Sequence, residues 1–307
     1  FTTDELLFAA STKGFSSAEA MRIAQELFEM GLITYHRTDS TRVSDVGKAI
    51  ARDYLAEKYK EQYKDWYVPR DWFKEGAHEC IRPTRPIDAT TLQRLVMDGS
   101  ITTIIPLTMR HYRLYDLIFR RFMASQMRKA VVVRATYTFR LELNGTPYRA
   151  KYECIVDLKD PGFLDILGFR KMPLLKVGDQ LEIEEVEVRR TSRVPFYREG
   201  DVVRLMKERG IGRPSTYSKI IEGLIRHRYV LKNRWGGLIA TGLGRKVYEY
   251  LAEKFGELVS EDTTKRLEDK MTLIEVGKAN YQEVLKEVYE QLDKLLEGAK
   301  KIEASTA

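Results

Sequence analysis

The spacing of apolar residues changes twice along this chain, and those two changes restrict it to a mixed fold. Up to about residue 130, and again beyond 200, apolar side chains recur every three or four positions, as on helices with one buried face. Between them Val131 to Val133, Tyr137 to Leu143 and Tyr148 to Val156 read as strands, with Asn144-Gly145 as a two-residue hairpin turn. Leu181 to Val188 alternates apolar and acidic residues, like a strand with one wet face, and Pro195 marks a boundary. The expectation is an α+β chain in three parts. Residues 1–128 are helical, 129–194 are mainly β, and 195–307 are helical with one hairpin at Tyr229 to Thr241, turning at Trp235-Gly236-Gly237.

Within the first part, Leu6, Leu7 and Ala10 share a helical face and Gly14 ends that run. Ser16 or Ser17 caps a second helix carrying Ala20, Ile23, Ala24, Leu27 and Phe28, which Gly31 closes. A helical segment rich in Lys and Glu spans 44 to 64, and three aromatics, Trp66, Tyr67 and Trp72, fall in a loop after it. Pro83 and Pro86 fix a turn, and Leu107 to Met127 is a long amphipathic helix with Leu114, Leu117, Ile118 and Phe122 on its apolar face. Thr264 to Lys301 reads as one long charged helix. The order helix, Gly14, helix, Gly31-Leu32-Ile33 recurs as helix, Gly210, helix, Arg228-Tyr229-Val230. Helix, tight turn, helix, hairpin is the winged form of helix-turn-helix, which often lays its second helix on DNA, although many helix pairs bind nothing.

Bulk properties narrow the function. A length of 307 residues with 43% hydrophobic residues has room for two or three cored units. No apolar run approaches the roughly 18 residues that a membrane span needs. The start, Phe1-Thr2-Thr3-Asp4-Glu5, lacks the basic and apolar segments of a signal peptide, and the absence of an initial Met is read as a processed chain or a piece of a longer one. Cys80 and Cys154 stand far apart and suit reduced thiols in a cytoplasmic protein, and four histidines without ligand spacing argue against zinc. A net charge of +7 favours a polyanionic partner, and 32% charged residues suit a heat-adapted source.

Three stretches carry candidate chemistry. Gly31-Leu32-Ile33-Thr34-Tyr35-His36-Arg37-Thr38-Asp39-Ser40 delivers a tyrosine into a polar run. A phenol, with an ordinary pKa near ~10, attacks well at neutral pH only when cations stabilise the phenolate and hold an anionic substrate. His36 and Arg37 follow at once, and Asp39 can orient either; a half-buried strand tyrosine before a solvated turn fits the same residues. In Arg209-Gly210-Ile211-Gly212-Arg213-Pro214-Ser215-Thr216-Tyr217, two glycines permit close backbone approach to a phosphate, and a helix starts at Pro214-Ser215-Thr216. Arg213 can grip a phosphate with two hydrogen bonds and Tyr217 can stack on a base; a capped helix start with incidental arginines is the plainer alternative. No Gly-Lys-Ser/Thr follows, so no nucleotide site is expected. His78 beside Glu79, with Arg82 three residues on, can place an acid and a cation on one face, or serve structure alone.

Leu32 to Ser40, Gly76 to Thr84 and Arg209 to Tyr217, in that order, closely resemble the signature motifs of the type IA DNA topoisomerases. The wording Gly-Ala-His-Glu-Cys-Ile-Arg-Pro-Thr-Arg-Pro from Gly76, and Leu-Tyr-Asp-Leu-Ile-Phe-Arg-Arg-Phe-Met-Ala-Ser-Gln-Met from Leu114, is most similar to the topoisomerase portion of the reverse gyrase group. The resemblance spans nearly the whole chain. It implies that Tyr35 attacks a DNA phosphodiester and stays joined to the 5′ phosphate, while Arg37 holds the scissile phosphate. It implies that His78 reaches the same region, with Asp39 positioning His78 or Arg37 and with Glu79 and Arg82 in support. Arg209, Arg213, Ser215, Thr216 and Tyr217 would bind the single strand leading to the cut. His36 stands where many relatives have an apolar residue and is given no role. Exchanging one phosphodiester for another is nearly isoenergetic, so cleavage stores the means of resealing and needs no ATP.

In that family a Toprim domain supplies the acidic cluster for Mg²⁺. No Asp-x-Asp-x-Asp cluster occurs here, and no helicase-like ATPase segment does either. The expectation is therefore a core fragment with winged-helix-like helical domains flanking a β segment and no metal site of its own. A Toprim- and helicase-bearing polypeptide, or an N-terminal part of the same protein, would complete it. Two other readings fit: a winged-helix DNA-binding module without chemistry, and part of an ordinary relaxing type IA enzyme.

Overall fold

The helical spacing of the first part is realised as several short helices, because polar caps and left-handed residues interrupt it. A computed structural model describes residues 1–73, 78–143, 145–180, 194–256 and 259–306, with the backbone alone for Leu141, Leu143 and 294–306. They form two compact units, Phe1–Thr2 with Ile23–Arg193 and Thr3–Arg22 with Val194–Ala307. The boundary falls inside α2 (Ser17–Glu29), which follows α1 (Thr3–Thr12). α3 (Asp45–Tyr59) begins where the Ser44 hydroxyl accepts from the Gly47 amide at 3.2 Å. It stops at Lys60, whose φ of +53° a helix cannot continue. The segment read as one helix over 44–64 is thus α3, a 3₁₀ turn at Lys60–Gln62 and α4 (Tyr63–Trp66).

α5 (Ala89–Met97) has no counterpart in the spacing analysis; Asp88 caps it, accepting from the Thr91 amide at 2.8 Å. α6 (Met109–Ser125) buries Leu114, Tyr115, Ile118, Phe119 and Phe122. His111 ties it to α2, its Nε2 lying 2.7 Å from Glu26 Oε2. Ile23, Leu27, Ile33, Leu55, Ile81 and Leu92 complete that unit's core. β1 (Val131–Leu143) and β2 (Thr146–Asp160) then pair antiparallel, from Leu143 opposite Thr146 to Val131 opposite Asp160. That register leaves a two-residue turn, with Gly145 at φ +74°. α7 (Leu164–Leu167) follows. Asn144 and the strand expected at Leu181 to Val188 lie outside the described residues.

The second unit continues with α8 (Glu199–Glu208), α9 (Tyr217–Arg226) and the hairpin of β3 (Val230–Lys232) with β4 (Leu238–Ala240). α10 (Gly242–Phe255), α11 (Glu261–Glu275) and α12 (Tyr281–Thr306) complete it. The single helix expected over Thr264 to Lys301 is therefore two, because Gly277 adopts φ +70° and turns the chain.

One device accounts for the repeat noticed in the sequence. At Gly14, Gly31, Gly210 and Arg228, each with φ between +58° and +79°, the residue's amide donates three positions back. The next amide donates five back: Phe15 to Ala10, Leu32 to Leu27, Ile211 to Met206 and Tyr229 to Leu224. Each closure sends the chain sharply out of its helix. With strands gathered into antiparallel hairpins between helices, the chain is α+β.

α8 packs closely on α1 at Gly200, where an added Cβ would lie 2.7 Å from Phe8 Cα and 2.5 Å from Ser11 Oγ. Gly200→Ala is expected to destabilise this unit by about 1–3 kcal/mol. Gly223→Ala in α9, where a Cβ meets nothing within 4 Å, should instead stabilise it by about 0.4–1 kcal/mol. Urea unfolding of both variants checks the contrast.

Candidate active site

The short apolar run before Tyr35 is there to be buried: Leu32, Ile33 and Ile81 are all within the core. Residues 31–34 run antiparallel to 80–84, with a bridge between Ile33 and Pro83. The Thr34 amide donates to the Arg82 carbonyl at 2.9 Å, and the Arg82 amide donates to Thr34 Oγ1 at 2.9 Å. Thr34 Oγ1 in turn donates to the Cys80 carbonyl at 2.8 Å. One register further, the Thr84 amide reaches the Leu32 carbonyl at 3.1 Å and the Thr84 hydroxyl reaches the Gly31 carbonyl at 2.5 Å. Two stretches far apart in sequence are thus locked side by side.

Tyr35 emerges from this pairing 39% exposed. Phe28 of α2 meets it edge-on, ring centres 5.4 Å apart. His78 lies against it at 5.8 Å. The structure therefore places Tyr35 and His78 side by side. Arg37 has its Nε buried without a hydrogen-bond partner and forms no ion pair among the described residues. Asp39 is exposed and holds neither Arg37 nor His78. His36 is fully buried, its ring edge-on to Tyr35 at 5.7 Å, and its pKa is lowered to about 4 by burial first and then by the Arg37 charge, with Glu29 opposing. It is neutral at pH 7.

Arg82 and Glu79 form the floor of this region. Arg82 is 5% exposed; its Nε donates to Glu79 Oε2 at 2.6 Å, its Nη1 to the Pro83 carbonyl at 3.1 Å and its Nη2 to Ser44 Oγ at 3.4 Å. Burial pushes the Glu79 carboxyl up, but hydrogen bonds from Arg82 and Ser44 and the charges of Arg82 and Arg42 outweigh it and hold the pKa below the ordinary value. Gly47 lets this guanidinium pass, since a Cβ there would lie 2.9 Å from Arg82 Nε. Arg82 thus spends its donors within the chain.

The turn at 209–217 lies in the other unit. Gly210 and Gly212 have φ of +70° and +78°. Thr216 Oγ1 accepts from the Arg213 amide at 2.8 Å, and Ser215 is exposed. Both arginines are engaged: Arg209 pairs with Glu261, and Arg213 Nη2 donates to the Glu268 carbonyl and to Thr272 Oγ1, each at 2.8 Å, with its Nε 3.3 Å from Glu268 Oε2. Tyr217 is 5% exposed and packs on the inner face of α9 against Gly212. Its ring is part of the core and offers no open face to a base, in contrast to the stacking role read from sequence.

Thr34, Phe28 and Arg42 were not marked by sequence reasoning. Arg42 donates from Nε to the His78 carbonyl at 3.4 Å and accepts the Cys80 amide on its own carbonyl at 2.9 Å. The roles of Thr34 and Arg42 come from pairing across 36 to 48 residues, which no local pattern announces. Among the described residues no group of His, Cys, Asp and Glu is arranged to hold a metal ion, and no helix is long and apolar enough to cross a membrane.

A family model described as DNA topoisomerase matches residues 1–286. The chain belongs to this family, the type IA DNA topoisomerases. It is 47% identical over 297 residues to reverse gyrase from Pyrococcus furiosus, covering 95% of this chain and 24% of that one. It is 48% identical over 299 residues to reverse gyrase from Pyrobaculum aerophilum, covering 96% and 24%. The structure of full-length topoisomerase I from Thermotoga maritima is similar with a TM-score of 0.74 and 32% identity, over 96% of this chain and 49% of that one. The chain thus spans about a quarter of the length of these reverse gyrases.

Burial of neutral His36 sets a pH response. Its folded pKa of about 4 lies below the ordinary 6.5, so between those values the unfolded chain binds a proton that the folded chain refuses. The associated stability is complete above pH 6.5 and is lost as pH falls towards 4, at most about 3 kcal/mol. Urea unfolding across pH 4–7 should show this loss, and His36→Gln should flatten it.

Proposed function

We propose that this chain is the tyrosine-bearing part of a reverse gyrase and that it cuts and rejoins one strand of DNA through Tyr35. The observation that carries the reading is an exposed Tyr35 against His78, two residues before an arginine with no partner among the described residues. The identity to reverse gyrases supports it over an ordinary relaxing enzyme. In this reaction Tyr35 Oη attacks the phosphorus and gives up its proton. The P–O3′ bond breaks, the 3′ oxygen leaves as a hydroxyl after taking a proton, and the 5′ phosphate stays on the tyrosine. Resealing is the reverse exchange.

Arg37 meets the charge that builds on the phosphate oxygens, and His78 reaches the same phosphate. Glu79 and Arg82 hold the loop that presents His78. At the turn, exposed Ser215 receives the strand's backbone and phosphate takes Arg209 and Arg213 from Glu261 and Glu268, while Thr216, bonded to the Arg213 amide, keeps the turn in shape. Tyr217 fixes the shape of that turn. Mg²⁺ and the groups beside the leaving oxygen belong, in this reading, to a Toprim-bearing part beyond this chain. The donor set of the described residues does not fit a magnesium ion. Positive supercoiling would need that part and an ATPase module together.

In protein carrying all these parts, Tyr35→Phe should abolish the covalent DNA adduct, read on a denaturing gel, while strand affinity stays within about twofold. A non-catalytic winged-helix module would show no adduct in either form. Arg37→Ala should slow cleavage by about 10²–10³-fold. This chain alone, with magnesium, should relax no supercoiled plasmid; relaxation would sink the division of the active site.

A further inference from the structure

The β3–β4 hairpin ends in a feature that the cleavage chemistry leaves unused. Trp235, at its tip, is 69% exposed, and the Arg234 guanidinium lies over the indole at 4.1 Å from the ring centre. The tip itself is rigid. Asn233 Oδ1 accepts from the Trp235 amide at 2.9 Å and the Gly237 amide at 2.8 Å, while the Asn233 amide donates to the Gly237 carbonyl at 2.8 Å. Gly236 adopts φ +84°, and Gly237 is so tightly enclosed that a Cβ would lie 2.8 Å from both Asn233 Nδ2 and Phe196 Cβ. A third segment braces the hairpin: Arg198 bridges to Gly237, and the Leu238 amide donates to the Tyr197 carbonyl at 2.8 Å. At its base Lys232 Nζ is held by the buried Glu199 at 2.8 Å.

The chain segment that carries this indole holds charge of one sign. From Gly223 through Tyr248 the chain carries Arg226, Arg228, Lys232, Arg234, Arg245 and Lys246 and no Asp or Glu, although acids are frequent elsewhere. A large aromatic face held out on a stiff turn, backed by a guanidinium and set in an acid-free cationic segment, suits a partner with flat apolar rings joined by phosphates. Within a duplex the base faces cover one another, whereas a single strand displays them.

We propose that Trp235 is a stacking platform for an unpaired base of single-stranded DNA, with Arg234 on the adjoining phosphate. The proposal rests on the reading that DNA is this chain's substrate and adds a contact on the wing, separate from the Tyr35 region and from the turn at 209–217. Because the tip is preorganised, binding orders little that was not already ordered.

The test uses the full chain at one fixed salt concentration, with fluorescence anisotropy of two labelled strands of equal length, an oligothymidylate and an abasic deoxyribose phosphate. The wild type should prefer the strand with bases. Trp235→Ala should weaken oligothymidylate binding by about fivefold to a hundredfold and leave the abasic strand within about twofold, whereas Trp235→Phe should keep most of the preference. Unchanged oligothymidylate affinity in Trp235→Ala overturns the platform, as does equal binding of both strands by the wild type; in either case the DNA reading stands. Failure of the wild type to bind either strand overturns both.

Discussion

The exchange of hydrogen bonds between Thr34 and Arg82 is the constraint on which the candidate active site depends. Each residue's backbone amide is satisfied by the other, one through a carbonyl and one through a hydroxyl. Both partners sit among fully buried apolar neighbours, Ile33 and Ile81, where an unmade bond would cost about 1–3 kcal/mol. The pairing fixes the register of residues 31–34 on 80–84, and register decides which side chains leave the core. Shifted by one residue, Tyr35 would turn inward and His36 outward. The geometry of a tyrosine against His78 is therefore set by bonding at the residue before Tyr35 and at the fourth residue after His78, ahead of any attraction between the two rings.

The same alternation sorts the charges. His36 occupies the inward position and is kept neutral by burial and by Arg37, so it places no cation in the core. Arg82, also inward, keeps its charge because Glu79 meets it at 2.6 Å and its remaining donors reach Ser44 and Pro83. A buried guanidinium tied this completely acts as a structural cross-brace between α3 and the 78–84 loop. Arg37 differs on each count, lacking a carboxylate and leaving Nε unbonded among the described residues. Three bases of similar sequence standing thus end in three different electrostatic states.

Much of this was legible in the residues. The strands of both described hairpins followed from period and turn chemistry, and the four closures at Gly14, Gly31, Gly210 and Arg228 followed from a repeat that needed no structure to see. The division of 44–64 was hidden because Lys60 carries no signal for a left-handed φ, unlike glycine. α5 escaped because it is short, although Asp88 is a capping residue in plain view. Gly277 was the available mark of the break between α11 and α12, overridden by an otherwise continuous charged pattern. Tyr35, Arg37 and His78 were readable as types at motif positions. Thr34 and Arg42 were not, since their work is done across a chain separation that sequence order conceals.

The commitments of Arg209 and Arg213 complete the electrostatic picture of the turn. The exposed pair of Arg209 with Glu261 contributes little to stability, typically ~0–1 kcal/mol, so a phosphate that replaces Glu261 gives up little protein–protein energy. What the pairing does is hold each guanidinium extended beside the glycine turn and limit its rotamers before any ligand arrives. The two φ-positive glycines and the Thr216 bond to the Arg213 amide fix the backbone in the same way. A preordered turn loses less conformational entropy on binding than a flexible one. An exposed carboxylate-paired arginine such as Arg209 is thus compatible with anion binding, unlike the buried bond of Arg82 to Glu79, while Arg213 is held more firmly by the largely buried Glu268.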